Sequence, residues 1–367
     1  MKTKILCDKI NIDRAVKEEK MFKYSLQSFR LKLFLYSCLH LVVDGLCSYL
    51  IFAKLYPNNS DSALLVFVLY NVLAFVTQAP VGIVIDKYNK PKLFLIISIM
   101  CIIFGYILNS VVVLATVLIG IGNSFFHVCG GKYISEKSNN DIASIGVFVS
   151  TGAVGLVLGQ RLCDFVSVLI VFFSVLLIGS LILIYIKDEE YIAIEKTVNI
   201  NGEIGIFLAI ISVVMIRSFV GKIASGEFEI TMFYGILIAV ATALGKACGG
   251  IVSKVIGINK TAIISMTIAA SCLVFGRGAA VIYIIGVFAF NFSMPITLYF
   301  ANELLRGREG FAFGSLAAFL IPGYFIAMSI PSNAVQYTVI PLAVLSVVLI
   351  LITNRAFSLW KQRGDKK

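Results

Sequence analysis

The sequence contains few charged residues. Asp, Glu, Lys and Arg account for 14% of its 367 residues, whereas hydrophobic residues account for 59%. A soluble globular domain has about a quarter charged residues, so the composition excludes a soluble enzyme or a soluble binding module. Apolar content this high is typical of a protein that is embedded in the lipid bilayer.

Histidine is scarce, and cysteine follows no metal-binding pattern. The chain has two His residues and eight Cys residues, most of the latter inside apolar runs. There is no Cys-x-x-Cys pair and no His/Cys cluster with metal spacing, so we expect no metal and no cofactor. No nucleophile–base pair or phosphate-binding loop is recognisable, and we expect the protein not to be an enzyme. The polar first thirty residues argue against a cleaved signal peptide.

Long apolar segments, in contrast, follow one another almost without pause. Their length and number predict an all-α membrane protein with twelve transmembrane helices in two six-helix halves. The predicted spans are Leu31–Ala53, Ala63–Ile85, Leu93–Asn109, Val111–Gly131, Ile142–Leu162, Phe165–Ile186, Ile204–Gly221, Ile230–Val252, Thr261–Phe275, Ala279–Phe300, Phe311–Ile330 and Ala334–Thr353.

The net charge of +11 is distributed unevenly along this pattern. With the N-terminus inside, 24 of the 31 Lys and Arg residues fall in the inner loops and tails. This agrees with the positive-inside rule and argues against nucleic acid as a partner. We expect a monomer in the cell (plasma or inner) membrane with both termini cytoplasmic. The expected domains are a tail (1–30), a six-helix bundle (31–186), a linker (187–203), a second bundle (204–354) and a basic tail (355–367).

A short charged loop follows the second predicted span. Gly82 allows close backbone approach, and Asp86, Lys87 and Lys90 can make charged contacts at a helix end. The pattern Gly-x-x-x-Asp-Lys-x-Asn-Lys resembles the loop between helices 2 and 3 of the major facilitator superfamily of secondary transporters. That family usually has Gly at the position of Asn89, and Asn also tolerates the left-handed conformation.

Ionisable residues inside the spans are functional candidates because a charge at lipid depth costs about 2.5–3.5 kcal/mol on insertion scales. His40 and Asp44 lie one turn apart in the first span, and His127 lies in the fourth. A His/Asp pair in a cavity can carry a proton near neutral pH. The alternative is that both histidines are hydrogen-bonded interior residues that tie helices 1 and 4 together.

Three motifs in the first four spans narrow the resemblance. They are His-x-x-x-Asp, Gln-x-Pro-x-Gly-x-x-x-Asp-Lys and Gly-x-Gly-x-x-x-Phe-His, which together are similar to the fosmidomycin-resistance branch of the superfamily. That resemblance implies proton-driven export of small molecules through a cavity between the two halves. Val128 departs from it, because the branch has Pro there, and Thr116 stands where many proton-coupled facilitators have Arg.

The second half contributes further candidates for the cavity. Arg217 and Lys246 are cations within predicted spans, and Asn291 is a polar residue in another. Two buried cations suit an anionic or zwitterionic substrate. Alternatively, Arg217 pairs with Glu227 or Glu229 near the outer mouth, and Lys246 extends towards the inner surface.

These residues together predict a secondary active transporter that moves a small molecule by alternating access, coupled to protons as an efflux system. An importer or uniporter of a small organic anion is the alternative, and a membrane scramblase or enzyme is an alternative of another class. The resemblance also implies that Asp86 stabilises the outward-open state by pairing with the start of helix 11, at about Glu309–Gly310.

Overall fold

The structure, a computed structural model, describes residues 27–186, 200–225, 231–276, 279–330 and 335–364. These ranges are helical and contain no β-strand. Short turns join most consecutive helices, which therefore run antiparallel. The helices are α1 (Gln27–Asn58), α2 (Ser60–Tyr88), α3 (Pro91–Ile107), α4 (Val112–Lys137), α5 (Ile142–Leu162), α6 (Val166–Tyr185), α7 (Ile200–Ser225), α8 (Met232–Ile256), α9 (Ile258–Phe275), α10 (Ala280–Leu304), α11 (Glu309–Met328) and α12 (Val335–Gly364).

The prediction of twelve spans is confirmed for the described part of the chain. Eleven helices are long and apolar enough to cross a membrane, and α3, with 17 residues, is apolar as well. A helix of that length reaches about 25 Å. Residues 1–26, 187–199 and 365–367, which include most of the predicted tail and linker, lie outside the described residues.

Helix α4 continues beyond its predicted end at Gly131, as far as Lys137. The ammonium group of Lys132 is buried and contacts both Asp86 on α2 and Glu136 one turn further along α4. Because these partners neutralise the lysine inside the protein, α4 can continue past Gly131 with Lys132 buried. The predicted span ends at Gly131 and so assigns Lys132 to the loop that follows, whereas Lys132 is part of the helix.

The turn between α2 and α3 takes the left-handed conformation expected at Asn89. That residue has φ = 47°, and its N–H donates to the carbonyl of Ile85 at 2.9 Å. Lys92, just beyond the turn, donates to the carbonyls of Ile184 and Ile186 at 3.0 and 2.6 Å. The end of α6 therefore lies beside this turn. We call this end of the bundle, which also carries the α4–α5, α8–α9 and α10–α11 turns, the basic end.

Glycines bring α1 and α5 into backbone contact. The spacing Gly152-x-x-Gly155-x-x-x-Gly159 predicts close helix packing, and the structure confirms it. A Cβ atom at position 155 would overlap the carbonyl oxygen of Leu41, and one at position 159 would overlap the carbonyl oxygen of Gly45. The two helices thus approach along a seam that excludes any side chain.

Glycines also allow close backbone contact between the two halves at the basic end. A Cβ atom on Gly82 of α2 would overlap the Gly310 carbonyl of α11. On the opposite side of the bundle, a Cβ atom on Gly146 of α5 would lie 2.7 Å from the Lys246 carbonyl oxygen of α8, and one on Gly250 would overlap the carbonyl of Ile142. The halves therefore meet backbone to backbone there.

Prolines interrupt two helices of the second half. Pro295 in α10 has no N–H to donate to the Asn291 carbonyl, and the N–H of Met294 bonds to that carbonyl instead at 3.2 Å. In α11, Pro322 likewise leaves the carbonyl four residues earlier without its usual partner, and the regular helix is interrupted at Phe319. Both breaks lie beside a proline, and a proline inside a helix predicts a bend.

The α1–α5 seam yields a prediction about stability. Gly155→Ala forces a methyl group against the Leu41 carbonyl, and overpacking of this kind costs about 1–3 kcal/mol. We expect the melting temperature of the purified protein in detergent to fall by several degrees. Gly221→Ala on α7 is the matched control, because no atom lies within 4 Å of its Cβ position. Equal melting temperatures for the two variants would contradict the tight seam.

Candidate functional site

The two histidines of the chain meet Asp44 inside the first half. His40 and Asp44 lie one turn apart on α1, and His127 lies near the middle of α4. The His40 Nε2 atom is 3.3 Å from Asp44 Oδ2, and the His127 Nε2 atom is 3.3 Å from Asp44 Oδ1. The two Nε2 atoms are themselves 3.0 Å apart. We call these three residues the triad.

Backbone carbonyls fix the other nitrogen of each imidazole. The Nδ1 atom of His40 lies 2.8 Å from the carbonyl oxygen of Phe148 on α5, and that of His127 lies 2.9 Å from the carbonyl oxygen of Asn123. The Asn123 amide also donates to Asp44 Oδ1 at 3.1 Å. Every member of the triad is thus oriented by a second group.

These contacts decide where ring protons reside. A carbonyl oxygen only accepts hydrogen bonds, so each Nδ1 atom carries its proton. Two neutral imidazoles would then turn Nε2 lone pairs towards each other and towards a carboxylate. Three acceptors that converge within 3.3 Å repel one another unless an added proton, or another cation, lies between them. The geometry of the triad is that of a cation-loaded site.

The nitrogen and oxygen atoms of the triad lie within 4.8 Å of one another, which is also a spacing that metal ions use. Sequence spacing predicts no metal cluster because His40 and His127 are 87 residues apart. The charge of Lys246, however, acts on His127. A neighbouring ammonium group opposes a divalent ion more strongly than it opposes a single proton, because the repulsion scales with charge.

Lys246 on α8, in the second half, lies near enough to the triad for its charge to act on His127, and Arg217 on α7 lies near Lys246. The charges of Arg217 and Asp44 both act on Lys246, so the three groups lie near one another, and we treat the region between them as one space. Asp44 and His127 keep 16% and 14% of their side-chain surface accessible, so water can reach this space. We call it the central chamber.

The remaining cavity candidate, Asn291, lies beside α8 but uses its amide within its own helix. Its Nδ2 atom donates to the Val287 carbonyl at 2.8 Å, and its Cβ atom packs against Gly245. The alternative acidic partners of Arg217, Glu227 and Glu229, lie outside the described residues.

Asp86 joins α2 to the first turn of α11. Its carboxylate accepts hydrogen bonds from the N–H groups of Gly310 at 2.9 Å and Phe311 at 2.8 Å. Lys132 contacts the same carboxylate at 3.0 Å. A negative charge at a helix N-terminus meets both unpaired N–H groups and the positive end of the helix dipole. The contact holds the two halves together at the basic end.

Three further described side chains make polar contacts between the halves at this end, and the first of them, Asn140, also donates to the Tyr299 carbonyl at 3.1 Å. The Asn140 amide donates to Glu303 at 2.9 Å, and the Asn302 amide donates to the Ser135 hydroxyl at 2.8 Å. The third, Lys254, forms an ion pair with Asp141. The basic end is therefore closed in this structure.

Asp141 lies in the turn between α4 and α5, outside the membrane spans. Burial raises the pKa of its carboxyl, but hydrogen bonds from Lys254 and Ser144 outweigh burial and hold the pKa below its usual range. The ion pair with Lys254 is thus fully present above the ordinary pKa of aspartate and is lost as pH falls through the lowered value. It persists at neutral pH.

The two lysines predicted for the charged loop between α2 and α3 make no such contact in the described part of the chain. Lys87 and Lys90 are exposed, and the Lys87 ammonium lies 5.9 Å from the centre of the Tyr88 ring. Neither takes part in the described hydrogen bonds between the halves.

Two residues that the sequence analysis missed belong to these sites. Asn123 orients Asp44, and Lys132 neutralises Asp86. The four-residue spacing of Lys132 and Glu136 signals an ion pair on one helix face, whereas nothing local to Asn123 indicates its partner on α1.

A separate cavity of about 400 Å³ lies at the opposite end of the first half. It is remote from the triad and from the predicted site. Its lining includes Tyr49, Lys54, Asn58, Asn59, Tyr106 and Asn109.

No protein-family model and no curated protein matches the sequence. Solved structures do resemble it. A variant of the E. coli fucose:proton symporter FucP matches at 12% identity with a TM-score of 0.67, covering 90% of this chain and 99% of that one. FucP in the outward conformation gives 13% identity, a TM-score of 0.66 and coverage of 89% and 99%. A bacterial homologue of the iron transporter ferroportin in the outward-facing state matches at 16% identity with a TM-score of 0.58, covering 91% of this chain and 99% of that one.

The chain has the major facilitator fold. At these identities the comparison establishes the architecture alone, and the narrower resemblance to the fosmidomycin-resistance branch stays a prediction. In the facilitator fold the two six-helix halves face each other across a central space. The triad belongs to the first half of the chain, and Arg217 and Lys246 belong to the second.

The Asp86 contact yields a prediction about the closed end. Asp86→Asn removes the charge that holds Lys132 and the start of α11, so we expect the basic end to open more often. Spin labels at the exposed positions Tyr88 and Arg308 should report longer distances by double electron–electron resonance. Lys87→Gln, which changes the charge of the same turn without touching α11, should leave the distances unchanged. Identical distributions for Asp86→Asn and the wild type would remove Asp86 from this role.

Proposed function

We propose that this protein is a proton-coupled secondary transporter that moves a small molecule by alternating access. The observation that carries the proposal is the triad, where two imidazoles and a carboxylate converge with only acceptor atoms facing inward. Such a position favours a proton, and it adjoins a space that water reaches. Protonation then favours one conformation of the transporter and substrate the other, through differential affinity.

The closed basic end supports the assignment of this structure to the outward-facing conformation. If the basic end faces the cytoplasm, as the charge distribution of the loops predicts, the chain is closed inward and Asp86 stabilises the outward-facing state. Two of the similar solved structures are themselves described as outward. We place the protein in the cell membrane on the same charge distribution.

Two directions of transport are compatible with this proposal. The resemblance of the first four helices to proton-driven exporters supports efflux by antiport. Arg217 and Lys246, which face the chamber as cations, support uptake of a small organic anion. The transporter folds that resemble this chain favour either direction over an enzyme or a scramblase.

Asp44→Asn tests the coupling. A thermal-shift screen of the purified protein at two pH values first identifies a transported candidate, whose flux is then followed in proteoliposomes with an imposed pH gradient. Since the amide cannot hold the proton shared with the histidines, we expect gradient-driven flux to disappear.

Asp164→Asn is the matched control, because this carboxylate is exposed and pairs with Lys54 at the opposite end of the bundle. It should transport like the wild type. Gradient-driven flux that survives in Asp44→Asn would exclude Asp44 from the coupling.

A further inference from the structure

Among the residues that the structure describes, two cations of the central chamber have no partner of opposite charge. Arg217 makes one described hydrogen bond, a long one of 3.4 Å to the Thr297 hydroxyl, and Lys246 makes none. Both residues are only partly exposed. Buried charges are normally paired, so an unpaired pair of cations is a costly feature.

The carboxylate of the triad does not neutralise these two cations. Asp44 acts on Lys246 through its charge, but its two oxygens already serve His40, His127 and Asn123. The like charges of Arg217 and Lys246 also repel each other. An anion held between them would relieve both the repulsion and the burial of charge.

We propose that Arg217 and Lys246 bind the anionic group of the transported substrate, a small organic carboxylate, and that the anion and the triad proton bind more tightly together than apart. This inference rests on the proposed transport function. It names the substrate class and decides between the two directions of transport, because ligands that favour each other's binding travel in the same state.

The sign of the coupling follows from charge. The protonated triad is neutral as a unit, since one imidazolium balances one carboxylate, so the chamber then carries the two positive charges of Lys246 and Arg217. Loss of the proton leaves the triad with a net negative charge, which repels the anionic substrate. By reciprocity, a bound anion must strengthen proton binding by the same factor.

The other groups around the triad do not change this sign. Cys47 of α1 and Tyr70 of α2 lie near Asp44 and are neutral, and Asn123 of α4 carries no charge. On α5, Gly152 packs against the triad. Of the second-half charges in the described residues, Lys246 of α8 acts on His127 and Arg217 of α7 acts on Lys246, and both favour the anion.

The first experiment tests the anion site. Lactate, pyruvate and benzoate at millimolar concentration are probes that stay ionised above pH 5.5, and glucose and choline are the neutral and cationic comparisons. We expect at least one carboxylate to raise the melting temperature of the full-length protein, and the shift to vanish in Arg217→Gln and Lys246→Gln. Lys260→Gln, which changes an exposed lysine at the basic end, should keep it.

The second experiment tests the coupling by titrating the most stabilising carboxylate at pH 5.5 and pH 8.5. We expect its affinity to be higher at pH 5.5 by a factor of about 5 to 150, the usual range for coupled sites, and its binding to take up protons from a weakly buffered solution. Both effects should disappear in Asp44→Asn.

Three results would overturn the inference: no carboxylate stabilises the protein, stabilisation survives in both glutamine variants, or affinity rises with pH. Gradient-driven flux of a neutral or cationic compound would also overturn it, while the proposed proton-coupled transport would stand. Carboxylates that bind with the expected pH dependence but never cross the membrane would leave the site intact and refute the transport function.

Discussion

The pairing of one carboxylate with two imidazoles at lipid depth is the constraint on which the first half depends. An isolated charge there would be unstable, so α1 and α4 must bring Asp44 and His127 together, and α5 must offer the Phe148 carbonyl to His40. Glycine along α5 is part of the same constraint, because any side chain at position 152 would occupy the space of the triad. The close packing of α5 and the charge pairing within the triad therefore depend on each other.

The two halves are joined by contacts of a different kind. At the basic end they meet through glycine against backbone and through the Asp86 carboxylate on the start of α11. In the proposed chamber the first half contributes the triad and the second half contributes two cations. The seam at the basic end fixes which side is closed, whereas the charges fix what can occupy the space between the halves.

Much of this was predictable from the sequence, and the exceptions have physical causes. Apolar length and loop charge predict the twelve helices, because the bilayer leaves few alternatives. The triad was predictable as a set of residues, since His and Asp at lipid depth are conspicuous. Its orientation was not, because Asn123 and the Phe148 carbonyl become partners only when distant helices pack. Lys132 was misplaced in a loop because its neutralising partner, Asp86, is 46 residues away.

Helix α5 touches both the triad and the seam with α8, and this has a consequence for inhibition. Gly146, which meets α8, and Gly152, which meets the triad, are six residues apart, or about 9 Å along the helix. A compound that wedges between α5 and α8 from the basic end would displace the carbonyl that anchors His40. If the protein works as proposed, such a compound would inhibit transport without occupying the substrate site.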